Sequence, residues 1–128
     1  MTAGDVAPGA RASGKRVLIV EDESMIRMLL EDMLDDLGYS VAGSAGKLDE
    51  ALTLARDTEF DIAILDVNLN GQAVSPVADV LESRGLPYIF ATGYGEQGIP
   101  DGHRDRPMLQ KPFHQDALVK LLANMSEN

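Results

Sequence analysis

Four short polar stretches hold the residue types of phosphoryl chemistry: Glu21-Asp22-Glu23, Asp66, Thr92 and Lys111-Pro112. The first three directly follow apolar runs, and Lys111 follows Pro107-Met-Leu-Gln110. Asp66 offers a carboxylate nucleophile, Lys111 a compact positive charge and Thr92 a hydroxyl donor. If the runs before Glu21 and Asp66 form neighbouring strands, three carboxylates converge on one spot. Clustered carboxylates repel one another and partly protonate unless a cation joins them. A hard divalent ion with oxygen ligands resolves that conflict, and Mg²⁺ is the usual choice when phosphate is also present. Together these groups are the parts for phosphoryl transfer to a carboxylate. Taken singly, each has a plain structural reading as a solvated turn, a helix cap or a loop. Their conjunction carries the chemistry.

The elements that must position them alternate in type. Arg16 to Val20 is a continuous apolar run and reads as a buried parallel strand. A helix follows from about Ser24 to Leu37, with Ile26, Leu29, Leu30, Met33 and Leu37 on one face and Gly38 as its stop. Ser40 to Gly43 is a short second strand and Leu48 to Arg56 an Ala-rich second helix. Asp61 to Leu65 is the clearest strand and ends at Asp66. A polar turn, Asn68-Leu-Asn-Gly71, leads to a third helix near Ala73 to Ser83. Leu86 to Ala91 is a fourth strand, Pro107 to Gln110 a fifth, and Phe113 to Met125 a closing helix. Strands alternating with helices imply right-handed crossovers and a parallel sheet covered on both faces. In such sheets functional groups gather at the C-terminal strand ends.

Thr92 to Arg106 breaks the pattern, with Gly93, Gly95, Gly98, Pro100 and Gly102 in one segment. A helix there is expensive, because each internal glycine costs roughly 1 kcal/mol relative to alanine and proline costs more. An irregular or mobile segment is expected.

The length of 128 residues fits one domain, read as residues 15–126, after a disordered lead-in over 1–14 that is rich in Gly, Ala and Pro. The 45% apolar and 25% charged shares are those of an ordinary soluble protein. No apolar run approaches the roughly 20 residues that cross a bilayer. The N-terminus lacks the apolar core of a secretory signal, so a cytoplasmic location is expected. The absence of cysteine excludes disulfides and thiolate chemistry. A net charge of −10 speaks against binding nucleic acid, and no helix-turn-helix module fits after Lys120. His103 and His114 are too few for a zinc centre.

The runs Val17-Leu-Ile-Val-Glu-Asp-Glu23, Asp61-Ile-Ala-Ile-Leu-Asp-Val-Asn-Leu69, Ala91-Thr92-Gly93 and Lys111-Pro112-Phe113 resemble the four motifs of bacterial two-component response-regulator receiver domains. The likeness spans about residues 15–125. It implies a flavodoxin-like, doubly wound (βα)5 α/β fold with a five-stranded parallel sheet in the order 2-1-3-4-5. It makes Asp66 the phosphoacceptor for a sensor histidine kinase or histidine phosphotransfer protein. Glu21, Asp22, Asp66 and the backbone carbonyl of Asn68 would hold Mg²⁺, and Thr92 and Lys111 would contact the phosphoryl oxygens. The family usually has a cis peptide at the site of Lys111-Pro112.

The sequence departs from the commonest receiver pattern in three places. Asn70 stands where many receivers have proline, Met108 replaces the usual aromatic residue, and the Gly-rich segment replaces the fourth helix. Leu86 to Gly95 is similar to the signature of the FATGUY receivers. These are mostly single-domain regulators, some of them in general stress signalling, in which the region after the threonine is thought to carry the signal. That makes Tyr94 a candidate for controlling access to the phosphoryl group. The expected mechanism is a stand-alone regulator that takes up one phosphoryl group, biases the Thr92–Arg106 segment and resets by hydrolysis. It would act through partner binding or phosphoryl relay and would catalyse no reaction but its own phosphorylation and dephosphorylation.

Kinase docking of the receiver type runs through the first helix, where Met28 lies opposite the apolar stripe and Met25 toward its edge. Two other readings use the same residues: a receiver-fold interaction module that signals without phosphate, and a metal-dependent phosphohydrolase. The latter commonly has Asp-x-Asp at the end of its first strand, whereas this strand ends Glu-Asp-Glu.

Overall fold

The computed structural model describes residues 15–92, 107–111 and 114–126. Five strands form one parallel sheet: β1 (Arg16–Val20), β2 (Ser40–Ala45), β3 (Ile62–Asp66), β6 (Tyr88–Thr92) and β7 (Met108–Gln110). Their spatial order is β2-β1-β3-β6-β7, the doubly wound order expected of the five long runs. Alternate residues of β1 serve opposite faces. Val17 and Ile19 join Leu30, Leu34, Leu118 and Leu122 beneath α1 (Ser24–Asp36) and α4 (Gln115–Ser126). Leu18 and Val20 join Ala51, Ala55, Val77 and Leu81 beneath α2 (Leu48–Asp57) and α3 (Ser75–Arg84). A sheet covered on both faces needs apolar residues at every strand position, which is why β1 and β3 read as unbroken apolar runs. No helix of the described residues is long and apolar enough to cross a membrane.

The stop at Gly38 has the expected cause. Gly38 adopts φ 89°, while its N–H donates to Asp35 and that of Tyr39 to Leu34, the paired bonds of a Schellman terminus. The buried face of α1 differs from the expectation in two residues. Leu34 is fully buried, and Leu29 is 45% exposed. The expected face included Leu29 and left out Leu34, but the helix sits on the sheet along its Leu30–Leu34 line.

The polar turn after Asp66 is a small hairpin, β4 (Asn68–Leu69) against β5 (Gln72–Ala73), and the third helix begins only at Ser75. Asn70 and Gly71 take φ 53° and 85°. Paired positive φ values are those of a two-residue type I′ hairpin, for which Asn-Gly is the preferred sequence. The Gly-rich segment with Tyr94 and His103, the lead-in 1–14 and the Pro112-Phe113 pair lie outside the described residues.

One clamp on the α2–α3 face was not foreseen. Arg84, in the last turn of α3, donates from Nη1 to the carbonyls of Ala55 (2.5 Å) and Thr58 (3.1 Å) at the end of α2. Its guanidinium also lies 5.4 Å from the centre of the Phe60 ring. The contact with Glu59, at 3.9 Å to an exposed carboxylate, adds little. Arg84→Ala leaves a helix terminus short of a donor and lowers unfolding free energy by about 2 kcal/mol. Arg84→Lys recovers less than half of this in urea titrations, since one ammonium cannot reproduce the planar fork. Full recovery by lysine would contradict this account.

Candidate functional site

The C-terminal ends of β1, β3, β6 and β7 lie side by side, and the chemistry-bearing residues collect there. Glu21 follows β1 and is only 1% exposed. Its N–H donates to the carbonyl of Ala45 (2.9 Å), while its Oε2 accepts the N–H of Glu23 (3.2 Å). Asp66 ends β3, and its Oδ1 accepts the N–H of Asn68 (3.3 Å). Glu21, Asp22 and Asp66 each present a carboxylate oxygen within 4.8 Å of the others. Glu23 is exposed and stands as the N-cap residue of α1.

Lys111 reaches into this group from the end of β7. Its Nζ lies 2.8 Å from Glu21 Oε1 and 3.4 Å from Asp66 Oδ2. Its N–H donates to the carbonyl of Thr92 (2.8 Å), so Thr92 and Lys111 share one sheet edge. Thr92 is fully buried. Asn68 opens the hairpin, with its side chain accepting the N–H of Gly71 (2.7 Å).

Charge and burial oppose one another here. Three carboxylates face one ammonium, an imbalance that a divalent cation would offset. Burial, aided by the neighbouring charge of Glu21, pushes Asp66 up to about 7 against the partial relief of Lys111 and Asn68. Burial also raises Asp22, yet the N–H of Asn70 and the other two acids outweigh it and hold Asp22 below the usual carboxylate range. Burial pulls the Lys111 ammonium down, but Glu21 and Asp66 more than compensate, so it stays protonated. Oxygen-only ligands that converge within 4.8 Å and carry excess negative charge fit Mg²⁺.

The structure also gives Asn70 a task that the sequence reading left blank. Its N–H donates to Asp22 Oδ2 at 3.0 Å. Proline, common at this position in receivers, has no N–H and cannot adopt φ 53°. The Asn-Gly pair was the available signal.

Residues 17–123 match the family described as the response regulator receiver domain. The chain is 32% identical over 120 residues to the transcriptional regulatory protein PdtaR of Mycobacterium tuberculosis, covering 91% of this chain but only 58% of that protein. It is 30% identical to the chemotaxis protein CheY of Thermotoga maritima, covering 89% of this chain and 99% of that one. The solution structure of SdrG from Sphingomonas melonis Fr1 superposes with a TM-score of 0.79 at 43% identity, covering 88% of this chain and 96% of that one.

Proposed function

This chain belongs to the response regulator receiver domain family, and from that premise we propose that it accepts a phosphoryl group on Asp66 from a histidine kinase or histidine phosphotransfer protein in the cytoplasm. The observation that carries this reading is the meeting of Glu21, Asp22 and Asp66 within 4.8 Å, with the Lys111 ammonium between two of them. The unit that does so is residues 15–126. Receivers are in general signalling proteins rather than enzymes, and the only chemistry proposed here is on the chain's own acceptor.

In this mechanism an Asp66 carboxylate oxygen attacks the phosphorus of a phosphohistidine in line. The P–N bond breaks and its electron pair returns to the imidazole nitrogen. The Asn68 N–H holds the carboxylate in place for attack. Lys111 moves from its two carboxylate partners toward a phosphoryl oxygen, and the Thr92 hydroxyl donates to another. Glu21, Asp22, Asp66 and the Asn68 carbonyl would hold Mg²⁺, which would neutralise the charge developing on the phosphoryl oxygens. Water attack on the acyl phosphate resets the domain. Output passes through a protein partner or onward phosphoryl relay.

The docking face fits a helical phosphodonor. Met25, Met28 and Leu29 are 80%, 61% and 45% exposed and are neighbours one turn apart at the start of α1, beside Asp22. Exposed methionines suit an adaptable contact.

Intact-protein mass after incubation with acetyl phosphate and Mg²⁺ tests the proposal. One added phosphoryl group is expected, absent from Asp66→Asn and absent with EDTA. No adduct from either the small donor or a phosphorylated kinase would leave a receiver-shaped interaction module in its place.

A further inference from the structure

The backbone of the acidic pair is held by a residue outside it. Arg27, in the second turn of α1, donates from Nη1 to the carbonyl of Glu21 at 2.7 Å. The guanidinium reaches this carbonyl across Gly46, in the loop between β2 and α2. A methyl group built on Gly46 would collide with Arg27 Nη1, while meeting the Glu21 carbonyl oxygen at an ordinary 3.5 Å. The bare Cα of Gly46 is therefore the space the guanidinium occupies. Its φ is not in the left-handed range, so conformational freedom does not explain the glycine.

Three segments meet at this point: α1, the turn carrying Glu21 and Asp22, and the loop after β2. The same turn is fixed on its other side by the Glu21 N–H bond to Ala45. Both polar groups of the Glu21 peptide backbone are thus tied down beside the carboxylates.

We propose that Arg27 and Gly46 form a brace that positions the Glu21-Asp22 turn for divalent-cation binding, with Arg27 acting as a positioning residue rather than a ligand. The inference rests on the reading of Glu21 and Asp22 as cation ligands. Residues behind a metal's own ligands commonly set its affinity by fixing ligand orientation.

The sign of the effect separates positioning from simple charge. A guanidinium near a cation site repels the cation, so its removal on Coulomb grounds alone tightens binding. A brace predicts the reverse. Isothermal titration of the full chain with MgCl₂ is expected to show binding about tenfold weaker in Arg27→Ala, and similarly weaker in Gly46→Ala, where the charge remains but the guanidinium is displaced. Gly46→Ala moves only the end of a flexible side chain, so circular dichroism should show the native fold. In the double variant the added methyl has no guanidinium to displace, and binding should be no weaker than in Arg27→Ala alone. Phosphorylation by acetyl phosphate should need more Mg²⁺ in both single variants and regain the wild-type rate at saturation.

Unchanged affinity, tighter binding in Arg27→Ala, or additive losses in the double variant would overturn the brace while leaving the acidic pair as ligands. A wild-type chain that takes up no Mg²⁺ would remove the ligand assignment and the brace together.

Discussion

Asp66→Asn makes the metal-free protein more stable at and above neutral pH, by about 2 kcal/mol or roughly 5–10 °C in Tm. Burial, with the Glu21 charge adding to it, raises the folded-state Asp66 carboxyl to about 7 from an ordinary 3.8. A group raised in the folded state keeps its proton longer there than in the unfolded chain. Its stabilising contribution is full below about 4 and is lost as pH rises through about 7. The wild-type protein in EDTA should therefore lose stability across that window, and Asp66→Asn should lose less. Added Mg²⁺ reverses the ranking. It should stabilise the wild type by mass action and the variant less, because one of the proposed carboxylate ligands is gone. Thermal unfolding across pH, with EDTA and then with Mg²⁺, measures both effects. Parallel pH curves for the two proteins would mean that Asp66 is not raised by its surroundings.

Much of this site was readable in the sequence because a parallel sheet uses its strands in a stereotyped way. Unbroken apolar runs such as Val17 to Val20 mark strands buried on both faces, and the polar residue after each run must emerge at the same sheet edge. That geometry alone brings Glu21, Asp66, Thr92 and Lys111 together once the strand order is right. The misses share a different cause. Leu29 and Leu34 both satisfy helical periodicity, and only the docking line of α1 on the sheet decides which is covered. The hairpin at Asn70-Gly71 was read as a polar turn because its strands are two residues each, too short for any alternation to register. Arg27 on Gly46, and Arg84 on Ala55 and Phe60, depend on contacts between segments far apart in the chain. A lone arginine on an amphipathic helix gives no hint of such a target.

The Asn70–Asp22 bond gives one departure from the commonest receiver pattern a structural role. Where proline would stiffen the loop through its ring, this chain stiffens it with a type I′ turn whose N–H fixes a carboxylate. The same loop then holds Asp66 through Asn68 and Asp22 through Asn70, so the proposed acceptor and a proposed cation ligand are held by residues two apart.

Lys111→Met should be the most damaging single substitution at the site for the metal-free protein, costing about 3–5 kcal/mol near neutral pH. Lys111 is the cation seated on Glu21, a carboxylate with almost no access to water, and it also touches Asp66. Removing it leaves three clustered carboxylates without a counter-charge, and breaking a buried ion pair from one side costs far more than the pair itself contributes. The loss should be smallest in acid, where Asp66 takes up a proton, and should grow as pH rises through the Asp66 range. Mg²⁺ supplies the missing positive charge, so the variant should gain more stability from added MgCl₂ than the wild type does. Phosphoryl uptake should nevertheless stay low at saturating Mg²⁺, because the ammonium that would meet the phosphoryl oxygen is gone. Stability restored by the cation without restored phosphorylation divides the two tasks proposed for Lys111, neutralising the resting cluster and contacting the transferred group. A variant equally stable with and without Mg²⁺ would show instead that Glu21 is held by something other than charge.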